Sequence, residues 1–363
     1  MNTTASKNLT LTPLERNLKA FLKRGVPPKL WTALRKSWEK LHRLNRIELV
    51  RRINRRLLKL TFGFMAFDAE IIKIFNEHGF SVTQTHDFYS PLPSVSALQK
   101  TIDRWSKPSK LIGINYRLSD IKAELKHLLT KYRAEYQKKA NHKEIGTKGY
   151  GPGFPVLDSM LLYSMVRDRK PQRYLEIGSG VSTYYCLLAA EENLREGNKT
   201  EITCIDPYPQ SALVSSPGVN IIKKEVQDAG TSDFERLNPR DILFIDSTHI
   251  VKLDGDVPFL YLEVLPRLKR GVIIHVHDIH FPYNSPYPHQ YYVFGKKRPV
   301  FWTEAMLLQA FLSFNDSYRI ILSTPLVRHF DEPFLKAFIP GYTPVNLEDA
   351  NTHAGSIWIE KIN

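Results

Sequence analysis

The stretch Tyr174-Leu175-Glu176-Ile177-Gly178-Ser179-Gly180-Val181-Ser182-Thr183 decides how the chain folds. An apolar strand over 173–177 runs into a glycine-rich turn and directly into a helix read over 184–193. Glycine lacks a Cβ, so at 178 and 180 the backbone can turn tightly and a ligand can approach it, in the crevice beyond the carboxyl end of a parallel strand. A dinucleotide site would place a third small residue at 183 for close helix packing, whereas this chain has the β-branched Thr183. Glu176, two residues before the first glycine, suits a cationic group on the ligand.

The next stretch sharpens that reading. A strand over 201–205 ends in Asp206, 28 residues after Gly178. An acid at the end of a second strand is placed to accept both hydroxyls of a ribose. Singly, the glycines also fit a plain turn and Asp206 a helix cap before Pro207; in this order they point to a nucleoside. Further strands follow at 219–222, 241–245, 271–276, 318–322 and 356–360, separated by helical stretches. That alternation predicts an α/β, Rossmann-like, mostly parallel seven-stranded sheet with helices on both faces.

Upstream, residues 146–153 are glycine-rich and lead into a helix over 156–167, and a long polar helix is expected over 119–139. Three regions result: a basic helical extension (1–60), a mainly helical region packing on the core (61–145) and the ligand-binding domain (146–363). The formal net charge is +14, yet residues 1–60 hold 16 Lys/Arg against Glu15, Glu39 and Glu48. The basic character therefore belongs to the extension, where Thr12-Pro13-Leu14-Glu15 reads as a capping box and the apolar residues of 28–60 keep helical spacing. Residues 12–60 are expected either to pack on the main domain or to meet an acidic partner or anionic membrane surface. No apolar run approaches the roughly 20 residues of a membrane span, and Met1-Asn2-Thr3-Thr4 does not open a secretory signal. Cys186 and Cys204 fall in apolar settings as buried free thiols. The expected location is the cytoplasm, either free or peripheral at the inner membrane surface.

With these residues in place the chain resembles the class I S-adenosylmethionine-dependent methyltransferases. The likeness rests on Glu176-Ile177-Gly178-Ser179-Gly180, Asp206, Asp241-Ile242-Leu243-Phe244-Ile245-Asp246 and His275-Val276-His277-Asp278. It is nearest to the branch of macrocin-type sugar O-methyltransferases and covers roughly 68–363. The resemblance implies S-adenosylmethionine as cofactor, lined by Glu176, Gly178, Ser179, Gly180, Ser182, Thr183, Asp206, Gln227 and Asp246, with Val226-Gln227-Asp228 near the adenine.

The ends of the fourth and fifth strands carry Asp246-Ser247-Thr248-His249 and His275-Val276-His277-Asp278-Ile279-His280, so four imidazoles and two carboxylates are expected to converge. Methylating a hydroxyl requires a group that removes its proton. His249 or His280 is the expected base beside Asp246 and Asp278, and Asp246, His277 and Asp278 are candidate ligands of a divalent metal. Related metal-dependent enzymes commonly place two consecutive carboxylates after the fifth strand; His277-Asp278 shifts preference toward metals that accept imidazole. His275 reads as a hydrogen-bonded interior residue. The tyrosines at 283, 287, 291 and 292, with prolines between, suit an acceptor with apolar or sugar faces, a small molecule or glycan. Nucleic acid is a disfavoured acceptor: an Asn/Asp-Pro-Pro-aromatic motif is missing after the fourth strand, and neither cysteine follows a proline. The same fold could also serve a non-catalytic binding protein or a nicotinamide-dependent oxidoreductase, the second disfavoured by Thr183 and by the His-rich strand ends.

Overall fold

Ile242-Leu243-Phe244-Ile245 and Ile273-Ile274-His275-Val276 are buried at every position. Runs buried throughout and apolar but for His275 mark central strands covered on both faces, because an exposed face would select alternation with polar residues. The computed structural model describes residues 52, 53, 55–57, 69–140, 145, 148–151, 153–295 and 298–363. The basic extension and its expected contact surface at 12–60 lie outside these, except residues 52, 53 and 55–57, which are helical and exposed. The chain divides into two compact units, 1–84 and 85–363. In the first, helix Ala69–Glu77 buries none of its residues. The second holds the sheet and all the site residues.

Seven strands form one sheet: β1 (Arg173–Ile177), β2 (Glu201–Ile205), β3 (Val219–Ile222), β4 (Ile242–Ile245), β5 (Ile273–Val276), β6 (Tyr318–Ser323) and β7 (Ile357–Lys361), in the order β3-β2-β1-β4-β5-β7-β6. β1 through β5 pair in parallel, and β7 runs antiparallel to both β5 and β6. Chain order reverses between β1 and β4, and ligands in open α/β sheets bind beyond the carboxyl ends of the strands at such a switch.

The sheet's cover follows from periodicity. Helix α1 (Leu118–Lys139) buries Ile121, Leu125, Leu128, Leu129, Tyr132 and Tyr136, a stripe at three- and four-residue spacing. Helix α2 (Val156–Arg169) is buried from Asp158 to Arg167 and ends on Lys170 in the left-handed region (φ +48°). Helix α3 (Val181–Arg195) follows β1. Its first turn begins three residues earlier than its apolar pattern suggests, because Thr183 Oγ1 accepts the Gly180 N–H at 3.0 Å and supplies the cap. The buried Arg167 ties the three helices together, bonding Glu135 of α1 at 2.6 Å and Glu196, just past α3, at 2.6 Å. Cys186 and Cys204 are free and buried, as their settings predict. No helix among the described residues is long and apolar enough to cross a membrane.

Candidate functional site

Four expected site residues occupy the same station, the first position past a strand. Each backbone N–H donates to the last carbonyl of the neighbouring strand: Gly178 to Ile205 (2.9 Å), Asp206 to Ile222 (3.1 Å), Asp246 to Ile177 (3.0 Å) and His277 to Ile245 (3.0 Å). The parallel ladder thus extends one residue beyond the strands and lines these groups along the sheet's carboxyl edge.

The turn after β1 is shaped by packing as much as by access. Gly178 has φ +97°, and a Cβ there would lie 2.4 Å from the Asp246 carbonyl oxygen. Gly180 is extended (φ 172°), so its backbone imposes no need for glycine. Ser179 Oγ donates to Asp206 Oδ2 at 2.5 Å, while Asp206 Oδ1 accepts the Tyr208 N–H at 2.7 Å. A carboxylate has about four acceptor positions, so each oxygen keeps room for a further donor. Glu176 is fully buried; Ser182 Oγ donates to its Oε1 at 2.6 Å, and Oε2 has no partner. Burial pushes the Glu176 carboxyl up to about 8, against the hydrogen bond from Ser182. Thr183 is fully buried; its Oγ1 accepts the Gly180 N–H of the helix cap and lies 3.8 Å from Cys204 Sγ. Gln227 Nε2 donates to Glu225 and to the Asp254 carbonyl, both at 3.0 Å, and its Oε1 is buried without a partner.

Beyond β4 and β5 the charged groups interlock. His249 Nδ1 contacts Glu304 Oε2 at 2.8 Å; its Nε2 lies 3.3 Å from Asp246 Oδ1 and 3.6 Å from Asp278 Oδ2. His277 Nε2 contacts Asp158 Oδ2 at 3.2 Å, with Nδ1 3.7 Å from both Asp246 and Asp278. Burial would drive protons off both imidazoles. The surrounding carboxylates outweigh it, raising His249 to about 10 and His277 well above its ordinary value. Asp246 is pulled down despite burial by the charges of His277 and His249, whereas burial raises Asp278. Two of these residues occupy the left-handed region, His249 (φ +60°) and Asp278 (φ +55°), a conformation costing bulky side chains roughly 1–3 kcal/mol. The His249 carbonyl accepts N–H groups from Thr303 (2.9 Å) and Glu304 (3.1 Å), which holds the turn.

The expected convergence of four imidazoles reduces to two. His275 lies one step deeper, stacked on Trp358 at 3.7 Å and bonded to Ser356 Oγ at 2.8 Å, an interior histidine as its pattern suggests. His280 leans on Tyr292 at 5.6 Å, its Nε2 is unpartnered, and burial together with the Arg328 charge keeps it neutral. His249, whose loop position also admitted a surface reading, is buried beneath Trp302 at 4.7 Å.

Two carboxylates escape a sequence reading. Asp158 in α2 receives His277, the Gly355 N–H (2.8 Å) and the Thr324 hydroxyl (3.3 Å). Glu304, at the start of helix α4 (Glu304–Leu312), holds His249 and accepts the Tyr261 hydroxyl at 3.0 Å. A trace exists for Asp158, an acid beside Ser159-Met160-Leu161-Leu162 in a helix buried nearly all round.

A family model described as a methyltransferase domain matches residues 175–279, from β1 to just past β5. An uncharacterized protein of Archaeoglobus fulgidus is 31% identical over 164 residues, covering 41% of this chain and 71% of that protein. Among solved structures, a SAH-bound methyltransferase of Podospora anserina is 15% identical, over 76% of this chain and 99% of its own, with a TM-score of 0.34. The O-methyltransferase TomG of Streptomyces achromogenes, in complex with SAM, is 13% identical over 74% and 96%, with a TM-score of 0.36. Likenesses of that size carry no residue role across. The strand order, the turn after β1 and the matched model together make residues 175–279 a methyltransferase domain, on the fold of the class I S-adenosylmethionine-dependent methyltransferases.

Proposed function

We propose that this chain moves the sulfonium methyl of S-adenosylmethionine to a hydroxyl oxygen of a small acceptor, a sugar, glycan or secondary metabolite. The observation that carries the reading is the buried Glu176 carboxyl, with Oε2 unpartnered, beside the Gly178 turn and the Ser179–Asp206 pair. Glu176 then takes the cofactor's ammonium, Asp206 its ribose hydroxyls, and Gln227 Oε1 the amino group of adenine. In the transfer, the acceptor oxygen attacks the methyl carbon, the C–S bond breaks with its electron pair going to sulfur, and the hydroxyl proton leaves to a base.

The carboxylates around His249, the expected base, raise it to about 10, which favours a charge-supplying role over proton abstraction. Asp278, whose affinity for a proton is raised by burial, is the better sink, with His249 supplying positive charge beside the developing oxyanion. Asp246, His277 and Asp278 offer ligand atoms within 4.8 Å of one another. His277 Nδ1, 3.7 Å from both carboxylates, has no hydrogen-bond partner while Asp158 orients the ring, and a cation there would displace the His277 proton and replace Asp278 as the group that activates the hydroxyl. That donor set fits a divalent cation tolerant of nitrogen, which when bound would supply Lewis-acid charge to the acceptor hydroxyl.

Calorimetry with S-adenosylmethionine and S-adenosylhomocysteine, followed by methyl release on hydroxylated acceptors, tests the proposal. No uptake of either nucleoside by folded protein overturns it. Asp206→Ala is expected to weaken cofactor binding by about 1–3 kcal/mol, roughly 5- to 150-fold, through lost charge-assisted hydrogen bonds.

Glu176 gives a second readout. A carboxyl held up at about 8 is mostly protonated at pH 7, and an arriving ammonium favours its ionised form. Uptake of S-adenosylhomocysteine near pH 7 should therefore release close to one proton, seen as a binding heat that tracks the buffer's ionisation enthalpy. Glu176→Gln should abolish the release; a buffer-independent heat in the wild type would refute the pairing. Without cofactor the raised value contributes stability below the ordinary 4.5 that is lost as pH climbs through about 8, a decline that Glu176→Gln flattens.

A further inference from the structure

A cavity of about 290 Å³ has His280, Tyr283, Tyr287, Arg328, His329 and Glu332 in its lining. His280, in its lining, lies two residues past Asp278 on the turn that follows β5. Gly355 packs against that turn: a Cβ added there would meet the Asp278 Cα at 3.2 Å and His280 Nε2 at 3.1 Å.

Arg328 is the one full cation among the lining residues, and it is half-buried. Its hydrogen bonds go to neutral oxygens: the Tyr342 hydroxyl (3.3 Å), the Ala354 carbonyl (3.1 Å) and the Thr352 carbonyl (3.3 Å). Glu332, the acid of the lining, is already engaged by Lys336 at 3.1 Å and by the Tyr342 hydroxyl at 3.1 Å. Among the described residues Arg328 has no carboxylate within ion-pair distance. A guanidinium carries five N–H donors in a planar fork that matches a carboxylate or phosphate, and three bonds leave two donors unspent. One wall is flat: the Tyr283 and Tyr287 rings stack at 4.2 Å with 2° between planes, and His329 meets the Tyr283 ring edge-on at 5.8 Å.

We infer that this cavity is the acceptor subsite and that it selects acceptors carrying an oxyanion, a carboxylate or a phosphate, with Arg328 as counter-charge and the tyrosine pair as the platform for the acceptor's ring. The inference rests on the methyl-transfer reading for the word acceptor, though the anion site is measurable without it. A neutral acceptor leaves a partly desolvated cation short of a partner, and sites built to pair a buried polar group discriminate strongly against ligands that cannot.

The test compares matched pairs by ligand-observed NMR on the full chain, with and without S-adenosylhomocysteine: glucuronate against glucose, glucose 6-phosphate against glucose, caffeate against catechol. At least one charged member should bind tenfold or more tightly than its neutral counterpart. The winning pair separates carboxylate from phosphate. Arg328→Gln should bring that ratio near one, Arg328→Lys should retain part of it, and S-adenosylhomocysteine affinity should be unchanged in both. Equal binding of charged and neutral members by the wild type overturns the inference. So does an Arg328→Gln protein that loses both alike, since Arg328 would then serve only to hold residues 352–355. If Arg328→Gln does not fold, the exposed rim residue His329 carries the test: His329→Glu should weaken the charged member and spare the neutral one, and equal effects refute the site. Absent nucleoside binding with an intact anion preference would sink the methyl-transfer reading alone.

Discussion

Gly178→Ala is expected to destabilise the protein by about 2–4 kcal/mol, which is a large share of an ordinary domain's stability. Two costs add. At φ +97° an L side chain is strained by roughly 1 kcal/mol or more. The new methyl would also sit 2.4 Å from the Asp246 carbonyl oxygen, a backbone atom fixed in place because its own residue's N–H donates to Ile177 at 3.0 Å. Neither end can yield cheaply, since β1 and β4 are paired at the centre of the sheet. Relief by moving the turn would carry Asp246 away from His249 and His277, so residual activity should fall further than stability alone dictates. Urea unfolding of the variant checks the figure, and an unchanged midpoint would show that the turn relaxes freely. Gly180→Ala is the control: with φ at 172° and the nearest foreign atom at 3.4 Å, its cost should be well below that of Gly178→Ala.

Glu304→Ala is expected to cost about 3–5 kcal/mol, the range for removing one partner of a buried ion pair. Glu304 is almost fully buried, and its two oxygens are committed to His249 (2.8 Å) and to the Tyr261 hydroxyl (3.0 Å). Deleting it leaves an imidazolium and a phenol short of partners in a dry setting. Methyl transfer should fall in parallel, because the ring that faces Asp246 and Asp278 loses the contact fixing its orientation. Glu304→Gln, which keeps shape and one acceptor, should cost less. The decisive measurement is a double-mutant cycle with His249→Ala: the double variant should recover a substantial part of the loss, whereas simple additivity would mean the pair is not coupled.

The strands and the ligand edge were legible because their signals are local. Short apolar runs ending at Gly178, Asp206, Asp246 and His277 fix both the strands and the points where the chain leaves them. The observed strands lie within two residues of those expected at either end. Helix α3 was placed short because its first turn, Val181-Ser182-Thr183, has no apolar period of its own and is held by a side-chain cap. Thr183 illustrates the consequence: read by sequence as part of a ligand motif, it also caps the helix in the folded chain. The convergence of histidines failed for a similar reason. Positions 275, 277 and 280 are close in sequence, yet one points into the core, one to the carboxylates and one into the cavity it shares with Arg328.

What the sequence alone determined is the backbone's plan: a doubly covered, mostly parallel sheet, a glycine turn after its first strand, and acids at the carboxyl ends. What only the tertiary structure decided is the electrostatic state of the site. The partners that set it are remote along the chain, Glu304 lying 55 residues from His249 and Asp158 lying 119 from His277. Backbone preferences and hydrophobic periodicity act over a few residues, so they specify elements. The proton held by a buried imidazole depends on which carboxylates the packing brings within about 4 Å, where a low dielectric makes each contact count.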